Sequence, residues 1–326
     1  MSQTSNTFDT FNAKGIRESL SNVIYNISPE ETPFMSNIGR ENVKNTYFEW
    51  QTDSLAAAST TNAQIEGDDV SAYDSTAATA RIGNYTQVSR KTLILSGTLE
   101  SVDKAGRRSE LAYQLAKRSA ELKRDMESIM LTNQAAAAGT AGVSTALRKT
   151  GSLLAFLKTN TNKGSSGADP SYTTQPNATR TDSLAADQRT FTEVILKDVI
   201  QQVWTEGGTP KILMVGPVNK QKVSAFQGIA QIRKDVPGRG PAVIIGAADV
   251  YVSDFGAVNV VPNRFQRERD AFVLDPEYAS VAFLRPFQTV ELAKTGDAEK
   301  RMIVVEWGLK VNQEAAHGLA ADLLTT

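Results

Sequence analysis

The stretch from Asn84 to Asn133, NYTQVSRKTLILSGTLESVDKAGRRSELAYQLAKRSAELKRDMESIMLTN, restricts the possible folds more than any other part of the chain. Tyr85 to Leu95 is rich in β-branched and apolar residues and reads as a strand. Ser96-Gly97 breaks it. Beyond that break comes the longest helical pattern in the sequence. Leu111, Leu115, Leu122, Met126 and Ile129 fall on one stripe at spacings of four, seven, four and three. Ala112, Ala116 and Ala120 lie beside that stripe, whereas Lys117, Glu121, Lys123, Arg124 and Glu127 mostly point elsewhere. Ser109 suits an N-cap, with Glu110 placed against the positive end of the helix dipole. Gly106 either separates a short first helix or kinks a continuous one. From Ser109 to Asn133 the helix would run about 35–40 Å, at roughly 1.5 Å per residue. That length suits a beam that carries other parts of a subunit.

Residues 1–42 are polar with scattered anchors, beginning at Phe8 and Phe11. Leu20, Val23, Ile24 and Ile27 are spaced for one helical face, which Ser28-Pro29 and Thr32-Pro33 then interrupt. A segment with periodic anchors but too little apolar surface for its own core packs on something else, either another molecule or, as a frayed terminus, its own domain. Val43 to Trp50, with Tyr47 and Phe48, reads as a strand, and Gln51 to Ala80 is rich in Ala, Ser, Thr and Asp. With the strand from Tyr85, residues 43–96 form an extended hairpin with a wide tip. Two strands alone are marginal in water, so such a hairpin needs a neighbour.

Beyond the long helix, Gly139 and Gly142 are expected to end it. Ser152 to Leu157 is a short apolar piece, and Thr159 to Asp187 is rich in Asn, Thr, Ser, Gly and Pro, which reads as a surface insertion or linker. Thr190-Phe191-Thr192-Glu193 is a capping box. The helix after it presents Ile195, Val199 and Val203 on one ridge, with Leu196, Ile200 and Trp204 beside it, and stops at Gly207-Gly208 and Pro210. Strands are expected at Lys211–Val215, Ala242–Ile245, Val250–Val252, Val258–Val261, Phe272–Leu274 and Val281–Leu284, with a helix opening at Pro217. Roughly Thr190 to Arg285 is therefore a mixed α/β unit. The remainder is a hairpin: Thr289 to Leu292 leads up, Thr295 to Lys300 turns, and Met302 to Val311 returns.

Enzymatic chemistry finds little support. The chain has one histidine, His317, and no cysteine, so thiolate nucleophiles and disulfides are absent and any imidazole site would rest on one residue. Neither a nucleophile-elbow serine motif nor a phosphate-binding P-loop occurs. Asp254-Phe255-Gly256 lacks the other kinase motifs and reads as a hairpin turn. Gly67-Asp68-Asp69 lacks a partner carboxylate strand. No catalytic, cofactor-binding or metal-binding residues are assigned, and no cofactor is expected. The net charge of −1 argues against a dedicated nucleic-acid binder. Arg264, Arg267 and Arg269 alternate with Glu268 and Asp270, a mixed-sign surface, while Arg233, Lys234 and Arg239 form a more basic one. No apolar run reaches the roughly 20 residues of a membrane-spanning helix, and no signal peptide is evident at the start.

Strand, Ser96-Gly97-Thr98, then a long helix carrying AELKRDMES at residues 120–128 resembles the major capsid proteins of tailed bacteriophages with the Hong Kong 97 (HK97) fold, nearest the short-chain podophage-type group. The resemblance implies an α+β fold in which residues 1–42 are the N-arm, 43–96 the E-loop hairpin, 97–150 the spine helix of the P-domain, 190–285 the A-domain and 286–326 the P-domain hairpin and C-terminus, with 151–189 inserted between. It implies self-assembly into hexamers and pentamers that close an icosahedral shell around phage dsDNA, without sequence-specific binding, in the host cytoplasm. Expected assembly contacts are Phe8, Phe11, Tyr47, Phe48, Trp50, Tyr85, Glu299, Lys300 and Arg301. Expected partners are a portal, possible decoration proteins and a separate scaffolding protein, since Phe8 and Phe11 follow the first residue too closely for a scaffold domain ahead of the arm. An encapsulin-like compartment holding protein cargo is the alternative within the fold, and a tail or adhesin module the alternative outside it.

The fold's namesake cross-links an E-loop lysine to a P-domain asparagine, with a glutamate as base. Asn312 and Glu306 could serve here, but no lysine lies between Lys44 and Lys91, and arginine cannot supply an uncharged amine. A non-covalent shell is expected.

Overall fold

A computed structural model describes residues 31–64, 66–67, 73, 75–76, 78–104, 106–143, 145–226 and 249–325. In chain order the elements are α1 (Pro33–Asn37), β1 (Gly39–Asn42), β2 (Tyr47–Thr52), β3 (Ala80–Tyr85), β4 (Gln87–Ser96), α2 (Gly97–Ser101), α3 (Glu110–Leu131), α4 (Leu153–Phe156), β5 (Thr161–Asn162), α5 (Glu193–Thr205), β6 (Ile212–Val215), α6 (Pro217–Ser224), β7 (Val250–Ser253), β8 (Gly256–Pro262), β9 (Ala271–Leu274), β10 (Ala279–Glu291), β11 (Ala298–Val311) and β12 (Gly318–Ala320). They form a four-stranded sheet in the order β1-β10-β11-β4, a six-stranded sheet in the order β5-β12-β9-β6-β8-β7, and the separate pair β2-β3.

The long helix α3 is where the periodicity places it. The Ser109 hydroxyl caps it by accepting from the Ala112 amide at 3.2 Å. It ends at Leu131 because Thr132 turns extended and Asn133 bonds the backbone of Arg180 on both sides, at 2.7 and 3.0 Å. Gly139 and Gly142 therefore do not terminate it; both have positive φ in the loop beyond. The stripe is buried at Leu122 and Met126 and only half-buried at Leu111, Leu115 and Ile129. Burial spreads round the C-terminal half to take in Glu127, Met130 and Leu131, so Glu127 is not the outward-facing charge its place off the stripe implied.

The six-stranded sheet separates two cores, and the alternation of its central strands assigns side chains to each. Ile212, Met214, Phe272 and Leu274 face α3, α4 and the four-stranded sheet, with Val281, Ile303, Val305 and Trp307. Leu213, Val215, Ala271 and Val273 face α5 and α6, with Leu196, Val199 and Ile200. Helix α5 starts at Thr192 without a side-chain cap bond, so no capping box forms; Glu193 instead accepts from Tyr251 and pairs with Lys197.

Four expectations about organisation change. The strand expected at Tyr85–Leu95 forms as β4 but is not the return arm of the hairpin: β3, at Ala80–Tyr85, pairs with β2, and β4 lies at the edge of the four-stranded sheet beside β11. Val281–Leu284 does not close the α/β unit, because it opens β10, which runs on to Glu291 against β11. Gly318–Ala320 returns as β12 between β5 and β9, so the C-terminal residues complete the six-stranded sheet. Residues 159–189 carry little regular structure but are no surface linker. Tyr172, Arg180 and Ser183 are buried, and Arg180 pairs with Asp169 and, at 3.4 Å, with Asp322. The expected strand Ala242–Ile245 lies outside the described residues.

Candidate assembly surfaces

The β2-β3 hairpin is fixed at its base by its own subunit. Phe48 packs over Gly308, where even a Cβ would come within 2.7 Å of the ring. Trp50 packs against Phe156 at 6.1 Å between ring centroids, and Tyr47 against Tyr85 at 4.7 Å. Asn84, fully buried at the end of β3, donates to the Leu309 carbonyl at 2.6 Å and accepts from the Gly151 amide at 2.8 Å. The four aromatic candidates thus root the hairpin and are largely spent within the chain. Farther out the situation reverses. Every residue from Asp53 to Gln64 is exposed, with Leu55 at 99 % and Tyr73 at 90 %.

The β10-β11 hairpin carries the second group. Arg301 pairs with Glu291 at 2.6 Å, Glu299 with Lys294 at 3.4 Å, and Lys300 bonds the Thr295 hydroxyl. Lys300 stands opposite Ile94 of β4, which is 62 % exposed. Phe8 and Phe11 lie outside the described residues, but the segment that leads from them is anchored. Phe34, Met35 and Ile38 are buried in the main core. The Glu127 carboxylate accepts from the amides of Phe34 at 2.7 Å and Met35 at 2.8 Å, and from the Asn263 side chain at 2.7 Å. Burial pushes its pKa above the ordinary glutamate value, by more than these three donors pull it down. Helix α3 thereby holds α1 and the end of β8 together. Sequence reasoning missed Glu127 and Asn84; the one available signal, for Glu127, was a charge among Met126, Ile129, Met130 and Leu131 in the last turns of the helix.

The titratable groups of interest have structural roles. His317 is buried, accepts from the Asp275 amide at 3.4 Å, and has its pKa pushed down to about 4 by burial. Glu306 is buried between Arg148 and Arg285, with the Thr86 hydroxyl donating to it at 3.1 Å. Asp254 and Phe255 form the β7-β8 turn. Among the described residues no cluster of His, Asp or Glu could hold a metal ion. Asp68, Asp69, Arg233, Lys234 and Arg239 lie outside them.

The comparisons with known proteins agree with this architecture. The chain is 28 % identical over 338 residues to the major capsid protein of Escherichia phage Phieco32, covering 96 % of each. In structure it is similar to the cyanophage A-1(L) capsid asymmetric unit, with a TM-score of 0.68 at 10 % identity over 98 % of this chain and 99 % of that one. It is also similar to a chain of Gordonia phage Cozz, at 0.59 and 12 % over 98 % and 96 %, and to the capsid of a native GTA particle, at 0.58 and 13 % over 97 % and 98 %. The α+β arrangement is therefore the HK97-like capsid fold. With the SU10 major capsid protein model matching residues 3–324, the chain belongs to that family and is a structural protein of a phage capsid.

Proposed function

We propose that the chain assembles with copies of itself into hexamers and pentamers that close an icosahedral shell around dsDNA in the host cytoplasm. The observation that carries this reading is the hairpin, rooted in its own core by Phe48, Trp50 and Asn84, yet leaving Leu55 and Tyr73 in solvent. A two-stranded hairpin carrying a long exposed loop is marginal in water by itself and gains support against another molecule. In this reading residues 1–42 are the N-arm, β2 to β3 the E-loop, α3 with the four-stranded sheet the P-domain, and the six-stranded sheet with α5 and α6 the A-domain. Glu299, Lys300 and Arg301 meet neighbours at the tip of the β10-β11 hairpin, and Phe8 and Phe11 do so through the arm. A scaffolding protein and a portal are separate chains, and a decoration protein is a further possible partner; the phage G structure similar to this one is described as containing both major capsid and decoration proteins. The test is light scattering and negative-stain imaging of the expressed chain, alone and with its assembly partners. Closed particles of uniform size are expected with the partners. A stable monomer or dimer under every condition would refute the reading.

A further inference from the structure

Glu306, which the sequence offers as a cross-linking base, lies between the root of one hairpin and the bulge of another. The first hairpin, β2-β3, joins the four-stranded sheet through a single residue, Thr86, between the end of β3 and the start of β4. Thr86 is fully buried and each of its polar groups is bonded. Its amide donates to the Thr46 carbonyl at 2.8 Å, its carbonyl accepts from Arg148 Nε at 2.7 Å, and its hydroxyl donates to Glu306 Oε1 at 3.1 Å. Arg148 also pairs with that oxygen. The second hairpin is β10-β11. Its register slips on either side of Arg285, so the ladder alone does not set the angle of its outer half, residues 288–291 and 301–304. At that break Arg285 Nε donates to Glu306 Oε2 at 2.9 Å. One carboxylate thus holds the root of one hairpin by one oxygen and the bulge of the other by its second.

We infer that Glu306 couples the two hairpins, so that the order of one is set together with that of the other. The carboxylate is buried and its two guanidinium partners come from different segments, so neither can withdraw without leaving buried charge unmatched. A displacement at Thr86 pulls on Oε1 and turns the carboxylate away from Arg285. A displacement at the β10 bulge does the reverse. The Asn84 side chain holds the same root through Thr150, Gly151 and Leu309, and bonds no residue of β10. A neighbour that fixes one hairpin therefore stiffens the other, and the effect is reciprocal. The coupling rests on the reading of both hairpins as assembly arms and adds regulation to it: a subunit with one contact made is better prepared for its next.

Hydrogen exchange of the full-length subunit, read by mass spectrometry, tests the coupling. R285A removes the bond at the bulge and lies outside β2-β3. T86V removes the hydroxyl bond and keeps the shape of the side chain. Each variant is expected to exchange about fivefold faster in both hairpins, with α5 and β6 unchanged and T86S close to wild type. Three results overturn the coupling: each variant accelerating only its own hairpin, no change in either, or acceleration that also reaches α5 and β6. Should R285A give no folded subunit, R285K, which keeps the charge without the Nε bond, is read by the same outcomes. Particle formation is scored separately. Wild-type particles whose subunits show independent hairpins overturn the coupling and leave the capsid reading intact. A wild-type chain that forms no particles even with its partners overturns the capsid reading instead.

Discussion

Replacing Glu127 tests how α1 is held against α3. Its carboxylate is fully buried and accepts from Phe34, Met35 and Asn263, residues on two segments far from α3 in sequence. In E127A three donors lose their acceptor. Each buried unsatisfied donor costs about 1–3 kcal/mol, offset by removing a carboxylate whose burial itself costs several kcal/mol. The net expectation is a loss of about 3–5 kcal/mol for E127A. In E127Q the remaining amide oxygen still accepts while its NH2 group faces a donor, so a loss of about 1–3 kcal/mol is expected. Urea denaturation of the unassembled subunit, followed by tryptophan fluorescence, gives the stabilities. Hydrogen exchange at the Phe34 and Met35 amides gives the local effect, which should accelerate in both variants. If E127A cost under about 1 kcal/mol and left those amides protected, the carboxylate would not be the clamp inferred here.

The raised pKa adds a signed pH dependence. Folded Glu127 keeps its proton at pH values where the unfolded chain has lost it. The stability this group contributes is therefore greatest at low pH and falls as pH rises from the ordinary glutamate value through the folded one. E127Q should lose that component. A wild-type chain whose difference from E127Q is constant across the acidic range would contradict the assignment.

L122A, in the fully buried half of α3, should cost about 2–5 kcal/mol, and L115A, half-buried nearer its start, about 1 kcal/mol, in the same urea assay; equal losses would mean the stripe is packed evenly along its length. His317 has the opposite sign to Glu127: with a folded pKa of about 4 against an ordinary 6.5, its contribution is full above 6.5 and is lost as pH falls toward 4. H317Q should flatten that slope, and an unchanged slope would show that another group carries it. Boiled, mature particles should give a single band near 35.2 kDa on a denaturing gel, whereas a ladder of covalent multimers would refute the non-covalent shell.

What was legible in the sequence was local. Period and punctuation located α3, α5, β6 and the β7-β8 turn, because each is decided within a few residues by side-chain spacing and glycine or proline. What was not legible was which distant segment each element meets. Pro286 makes Val281–Leu284 and Thr289–Leu292 read as separate strands. They are one strand because the register slips between Phe283 and Arg285 and again between Arg285 and Gln288, and such irregularities accommodate a proline. Residues 159–189 have the composition of a loop and largely lack regular structure, yet Arg180 is buried there because Asp322, 142 residues away, neutralises it. Glu127 reads as outward-facing because a lone charge on a helix is normally solvated; its partners Phe34 and Met35 lie more than 90 residues earlier. The same limit governs the assembly surfaces. An acidic loop with two stranded apolar side chains can be recognised from its sequence as needing a cover. Which segments root it cannot, because Asn84 meets the Leu309 carbonyl and the Gly151 amide only once distant parts of the chain have come together. Ile94 and Lys300 likewise share a sheet face only through the antiparallel register of β4 with β11, and a one-residue slip would send Lys300 to the α3 side with Lys91, so long-range strand pairing decides which side chains each face presents.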